Sequence, residues 1–600
     1  MPPMLRLLTL ALAAGPLLPP AFAEEAAAEE RVVLVPMLLN GDFLEPQAPD
    51  IVPGAVPWWI GGGPGVQVIH GDQRNLLLTT GAAVASQPVP AYAPLVDRLV
   101  VRGEVNGEGL LTIVDGSGGR TEWSVGSAQG TETFEFSGAD LKRADGAPPT
   151  PRFTLELRAR GGGQVSWTDL EVLVALPCPD EDALRAEVVE LLHTTLTPWL
   201  ERGLDTYGPR ETGLVAALFD AVTGEVITNH DSSMHPLMET LLEATRHEPD
   251  PVWEAALERY VGDFLELCLH PETGLPRVWN PVKDVPIDRQ YVQIHLPFGF
   301  LLDLADHGPE AYRERALAAA TKIGESVLAT GILPDGNVAP LYRPSNGESS
   351  NEARALRFLD VPSRLVLLAR ETGDERLLQA ARDAVATVLY THYWPGSWNH
   401  IDPGFDDDFG HYAERSVVMA RAFPDEPLFR RLPDGGWAKF DTIWPQALKF
   451  GGSMAADQVR CWKLLIEYCE VRPELRPALD DVLGPAIHSH LRGQQYGNGA
   501  WGDITYNNWQ PSVDLQVGDF SGTPTNLLQG IANVYGSGLG PDDETLRAIF
   551  TAVMRSSVTT YGREYGLLST MRQLDGANHA GGSLRIGPAL TVMLGKLSDG

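Results

Sequence analysis

Between residues 31 and 176, short apolar runs alternate with Gly, Pro, Asn and Asp. The runs are VVLVPMLLNGDF, RNLLLTT, DRLVVRGEV, GLLTIVDG, RTEWSVG, ETFEFSG, RFTLELRAR and QVSWTDLEVLVAL. Runs this short, broken this often by turn residues, predict about eight strands arranged as a sandwich. Nothing in this half has the length and period of a helix. Pro177-Cys178-Pro179-Asp180 punctuates the boundary, and the period changes after it. Residues 182–202 are helical in pattern, 212–227 form a short β-like insertion, and helix then follows helix.

The phrase 365–389, LVLLARETGDERLLQAARDAVATVL, illustrates the pattern. Gly373 suits a helix C-cap and Asp374 the N-cap of the next helix. Leu377, Ala381, Val385 and Val388 then fall on one stripe. Further segments of this kind are expected at 234–246, 251–270, 290–306, 310–330, 352–372, 375–391, 408–423, 453–471, 474–492, 523–535, 542–559 and 583–597. Antiparallel helix pairs in such number must each bury a face, and closing them into a ring does so. A solenoid would bury the same faces, but the chain lacks a fixed repeat period.

The first half resembles carbohydrate-binding modules with a galactose-binding-like jelly-roll fold. The resemblance rests on Leu39-Asn40-Gly41-Asp42-Phe43, on Trp58 and Trp59, and on the closing phrase Trp167-Thr168-Asp169-Leu170-Glu171-Val172. It implies that one of the Trp pair could stack on a sugar ring; adjacent strand residues point to opposite faces, so not both. The second half resembles the (α/α)-toroid carbohydrate-active enzymes, the six-hairpin glycosidases and toroidal polysaccharide lyases. Thr372-Gly373-Asp374 and His270-Pro271-Glu272-Thr273-Gly274-Leu275-Pro276 carry that likeness. It is a likeness of architecture and phrasing, and no family's catalytic motif is matched residue by residue. The expected fold is multidomain: a β-sandwich (jelly roll) over 31–176, then an all-α (α/α) toroid over 180–600.

The first 30 residues add a compartment. One Arg, an apolar run from Leu7 to Leu18 and Ala21-Phe22-Ala23 have the layout of a secretory signal peptide over 1–23, with an acidic linker over 24–30. The run is short and broken by Gly15 and Pro16, against about 20 apolar residues for a membrane span. A secreted or periplasmic protein, free of the membrane after cleavage, is expected. The formal net charge is −33, which repels nucleic acid and anionic lipid at long range. Four cysteines, with no CxxC or Cys/His spacing, make neither a disulfide scaffold nor a zinc site.

In a ring of hairpins, chemistry belongs to the long polar loops at one end. In 393–411, Trp394 and Trp398 offer stacking surfaces, Asp402 lies on the loop, and Asp406, Asp407 and Asp408 meet a helix start. One Asp caps the helix and others suit its positive end. His411 is within helical reach of Asp407 and Asp408. In 494–522, Trp501, Tyr506 and Trp509 can stack, Asn507 can bond hydroxyls, and Asp503 is the favoured partner for the 402–408 group. Glycoside hydrolysis needs such a carboxyl pair, about 5–10 Å apart. Asp402, Asp406 and Asp408 could alternatively take Ca²⁺, though without the EF-hand spacing; no cofactor is otherwise expected. In 279–295, Arg289, Tyr291 and His295 suit the competing β-elimination of a uronate by a lyase, Tyr291 and His295 standing four apart.

These features together predict an exported enzyme that cleaves a polysaccharide or oligosaccharide, by paired carboxylates in the first instance. A polysaccharide lyase and a non-catalytic glycan-binding protein are the alternatives.

Overall fold

A computed structural model describes residues 31–38, 65–70, 75–90, 99–115, 119–137, 152–215, 218–219, 226–228, 236–287, 291–350, 359–392, 406–434, 437, 453–481, 483–484, 487, 523–561, 563–564, 567–568 and 586–598. The signal-peptide segment, Leu39–Phe43, Trp58 and Trp59 lie outside them.

The first part is built of ten strands: β1 (Val32–Pro36), β2 (Val66–His70), β3 (Asn75–Thr80), β4 (Val84–Pro90), β5 (Leu99–Asn106), β6 (Gly109–Asp115), β7 (Arg120–Val125), β8 (Thr131–Ser137), β9 (Arg152–Ala159) and β10 (Gln164–Pro177). They form two antiparallel sheets. One runs β2-β3-β10-β5-β8 with β1 also on β10, and the other runs β4-β9-β6-β7. Strict alternation, as in β5 where every second residue is buried, gives each sheet one apolar face. The two apolar faces meet. Trp167 of β10 is fully buried, and a Cβ at Gly109 of β6 in the other sheet would lie 2.5 Å from its ring. The indole N–H donates to Thr79 Oγ1 at 3.1 Å, so the polar atom of this large side chain is satisfied. Two of the ten strands, β2 and β4, were not among the eight expected. β4 carries Pro88 and Pro90 and is an edge strand, the one place in a sheet where missing N–H donors are tolerated.

β10 runs for 14 residues and changes partners midway. Its first part pairs with β3 and its last part with β1, while β5 follows along the other side. The register slips between Thr168 and Glu171, where Asp169 takes φ 48°, as at a β-bulge. The strand ends at Pro177 and α1 (Glu181–Arg202) begins after Asp180, whose side chain accepts from the Ala183 N–H at 2.8 Å.

Eleven further helices have described bounds: α2 (Pro236–His247), α3 (Pro251–Leu267), α4 (His295–His307), α5 (Glu310–Thr330), α6 (Asp360–Thr372), α7 (Glu375–Thr387), α8 (Asp406–Ala422), α9 (Ser453–Val471), α10 (Thr523–Val534), α11 (Asp543–Tyr561) and α12 (Gly587–Ser598). Residues 427–434 and 476–481 are also helical; the former was not expected. Contacts run in a closed cycle, α2–α4–α6–α8–α9–α10–α12 and back to α2. Among the described residues the ring thus has seven members. α3, α5 and α7 pack outside it, each against a ring helix, and α1 packs on α12. The turn at Gly373 is as expected: it takes φ 73° and caps α6, and Asp374 accepts from the Arg376 N–H.

Ring neighbours run parallel. First residues meet first residues between α4 and α6 (His295 and Asp360, 3.5 Å). Last turns meet between α8 and α9 (Arg421 and Glu467, 3.2 Å). α12 meets α2 with Gly587 beside Thr240 and Gly595 beside His247. Turns leaving a ring helix are short (248–250, 308–309, 373–374). Connectors entering one are long (203–235, 268–294, 331–359). These three reach the ring at one end, the end at which α8 also begins.

α11 joins the parts. It packs on β1 and β10, where Arg31 pairs with Glu544 and the Cys178 thiol donates to the Glu544 carbonyl at 3.6 Å. Replacing Trp167 by Ala is expected to cost about 3–5 kcal/mol. In calorimetry of the whole chain, the transition of the sheets should move down while that of the ring holds.

Candidate functional site

On α2, α4, α6 and α12, and over the described part of α8, side chains with access to solvent recur along one face. They include Glu239, Glu243 and Arg246 on α2; Leu296, Asp303 and Asp306 on α4; Arg364, Leu367 and Arg370 on α6; Glu414, Val418 and Arg421 on α8; and Pro588, Val592 and Lys596 on α12. The residues between them are mostly buried against neighbouring and outer helices. A ring helix packed on its flanks and back can expose only its inner face, so these stripes line the hollow.

Glu239 and Asp303 dominate the lining. Both have solvent-accessible surface, yet crowding by protein is the first cause of shift in each. Partial desolvation disfavours the charged form. Glu239 is pushed up to about 7, by burial and then by the negative charge of Asp303, with Arg364 opposing and Glu414 and Glu243 adding to the rise. Asp303 is also raised by burial, but Arg364 and His307 both act to hold its charge. The environments divide the pair: Glu239 keeps a proton where Asp303 is the better placed to ionise. Beside them, His307 Nε2 lies 3.2 Å from Glu243 Oε1, and Glu243 is held below its usual value despite burial.

Behind the lining, charges pass into the wall. Asp360 is 1% exposed, its Oδ1 accepting from Arg415 Nε at 3.2 Å and its Oδ2 standing 3.5 Å from His295 Nδ1. Arg415 is also 1% exposed, and it pairs with Glu414. One carboxylate thus ties α4, α6 and α8. A buried ion paired on both sides adds little net stability, but removing one partner strands the other.

The expected site residues fare as follows. Asp402, Asp503, Trp394, Trp398, Trp501, Tyr506, Asn507, Trp509 and Arg289 lie outside the described residues. Asp406, Asp407, Asp408 and His411 occupy the first two turns of α8, at the long-connector end; their side chains lie outside the description. Tyr291 and His295 do not share a helix, because α4 starts at His295 and Val292 already pairs with Tyr342 in a small sheet. Tyr291 instead hydrogen-bonds Glu348 and lies under the Arg343 guanidinium, 4.8 Å from the ring centre. His295 is 1% exposed and lies in the wall beside Asp360. Sequence reasoning missed Glu239, Asp303 and Arg364. They sit singly among apolar residues on helix faces, and loop composition does not point to them. Among the described residues no group of three or more His, Cys, Asp or Glu is arranged to hold a metal, and no described helix is long and apolar enough to cross a membrane.

Fold and lining together define a two-part protein, paired antiparallel sheets ahead of a closed helical ring whose hollow carries charges of both signs. No family model matches the chain, and no curated protein matches it. Among solved structures it is similar to toroidal carbohydrate-active enzymes. Cellobiose 2-epimerase from Spirochaeta thermophila is 12% identical, with 70% of this chain and 98% of that one covered at a TM-score of 0.41. A family 76 glycoside hydrolase from a bovine Bacteroides thetaiotaomicron strain is 9% identical, covering 89% and 98% at 0.40. The xylan-binding domain CBM22-1 from Paenibacillus barcinonensis is 16% identical, covering 24% of this chain and 97% of its own at 0.17. Identities and scores this low leave the function to the residues themselves.

Asp360→Asn should cost about 3 kcal/mol, because Arg415 loses its buried partner. The double change D360L/R415M should cost less than the single one, measured by denaturant titration.

Proposed function

We propose that this protein is an exported glycoside hydrolase acting on a polysaccharide or oligosaccharide in the hollow of the ring. The observation that carries the reading is the Glu239–Asp303 pair, accessible yet crowded by protein on neighbouring ring helices. Glu239, which retains its proton near neutrality, donates it to the departing glycosidic oxygen. Asp303, ionised, stabilises the positive charge that develops on the sugar ring, or draws a proton from the attacking water. The acidic and aromatic stretches that precede α8 and α10 in the sequence are proposed to extend the site toward the incoming chain. Asp406, Asp407 and Asp408 are proposed as further carboxylates there, with Asp402, Asp503 and His411. The tryptophans of those stretches are proposed as sugar platforms. The paired sheets are proposed as a jelly-roll module of the carbohydrate-binding kind. The N-terminal segment, with its Ala-x-Ala, supports a secreted or periplasmic location.

Hydrolysis is preferred to β-elimination because two of the residues suited to a lyase, His295 and Tyr291, are otherwise engaged. His295 is inside the wall, and Tyr291 is held by Glu348 and Arg343.

A panel of plant, algal and animal polysaccharides, assayed for new reducing ends and for absorbance near 235 nm, tests the reading. Reducing ends without ultraviolet absorbance are expected. Glu239→Gln and Asp303→Asn should each lower kcat by about 10²–10⁴ with little change in melting temperature. Because Glu239 must be protonated to act, wild-type turnover should fall as pH rises through about 7. In any residual activity of D303N that limb should move to lower pH, since a negative neighbour is gone. Undiminished turnover in both variants removes the pair from the chemistry.

A further inference from the structure

Arg364 is an arginine of unusual placement. It projects from α6 with its side chain 13% exposed, and its Nε has no hydrogen-bond acceptor among the described residues. Among the described residues its ion pair is loose, 3.8 Å to Glu414. A guanidinium that makes so little use of its donors acts chiefly through its charge.

Its place depends on a missing side chain. A Cβ at Gly299, one turn before Asp303 on α4, would lie 3.0 Å from Arg364 Nε, 3.1 Å from Cζ and 3.2 Å from Nη2. Glycine inside a helix costs about 1 kcal/mol relative to alanine. Here it opens the gap through which the guanidinium lies against α4. The charges around the pair come from four elements: Glu239 and Glu243 on α2, Asp303, Asp306 and His307 on α4, Asp360 beside Arg364 on α6, and Glu414 and Arg415 on α8. α12, on the other flank of α2, brings only the exposed Lys596. Of these groups, Arg364 is the one cation that acts on both Glu239 and Asp303.

We propose that Arg364, seated by the absence of a side chain at Gly299, is a positioning residue that keeps Asp303 ionised and loosens the proton on Glu239 enough for it to be passed on. The inference rests on the hydrolase reading for its catalytic meaning, but its electrostatic content can be measured without turnover.

The experiment has two readouts in R364M, R364K and G299A. The first is the pH profile of kcat/KM. The second is the difference in melting temperature between each parent and its E239Q derivative from pH 4 to 9. Glu239 has a raised folded value, so the parent loses stability as pH rises through it, and E239Q should gain relative to the parent at pH 8 but not at pH 4. The midpoint of that gain lies between the unfolded and folded values of Glu239 and moves with the folded one, by half as much. In R364M both limbs of the profile should move to higher pH by about one unit, and this midpoint by about half of that. R364K, which retains a charge, should recover at least part of the shift. G299A, which keeps the arginine but displaces it, should move both in the same direction by less. Limbs and midpoint that stay put in G299A and R364M overturn the proposal, as does a shift to lower pH. Should R364M fail to fold, G299A and R364K decide the matter. A midpoint that moves while no variant cleaves any glycan sustains the hold of Arg364 on the pair and rejects the hydrolase reading alone.

Discussion

The hollow exists because α12 closes on α2. At Gly587 a Cβ would come within 2.6 Å of Thr240, and at Gly595 within 2.8 Å of the His247 ring. A larger residue at Gly587 would have to displace Thr240, and one at Gly595 the His247 ring. With the gap shut, every ring helix has a neighbour on both flanks, and the inward stripe is the one face left to carry charge. Close packing in such a wall transmits displacement instead of absorbing it. The spacing of Glu239 from Asp303, which lie on adjacent members, is therefore a property of the whole circuit.

Within the circuit, the lining and the wall solve different problems. The wall takes charge out of water and compensates it with short pairs, Asp360 between Arg415 and His295. The lining leaves its carboxyls reachable but poorly solvated, so their protonation responds to neighbours. Arg364 stands between the two regimes, mostly buried like the wall groups and facing the hollow like the lining.

Much of this architecture is legible in the sequence. Helices α5 and α9 occupy 310–330 and 453–471 as the apolar period predicts, and Gly373 and Asp374 punctuate α6 and α7 as their chemistry requires. β4 was not readable, since Pro88 and Pro90 argue against a strand until its edge position is known. Helix α4 begins later than its periodicity suggests because Val292 and Gln293 are claimed by pairing with Tyr342 and Leu341. The site itself was least legible. Glu239 and Asp303 are separated by 64 positions and share no local motif. Their meeting is a product of ring closure, and periodicity within one helix cannot report what another helix brings opposite.

The joint between the two parts has a mechanical consequence. β10 passes into α1 within three residues, and α11 is clasped by Arg31 and Cys178 at Glu544 while Glu181 meets Tyr535 and Arg547. No slack segment separates sheets from ring. If a tethered polymer pulled on the sheets, there would be no swivel to relax the load, and the force would be delivered into α11 and onward to the helices that shape the cavity.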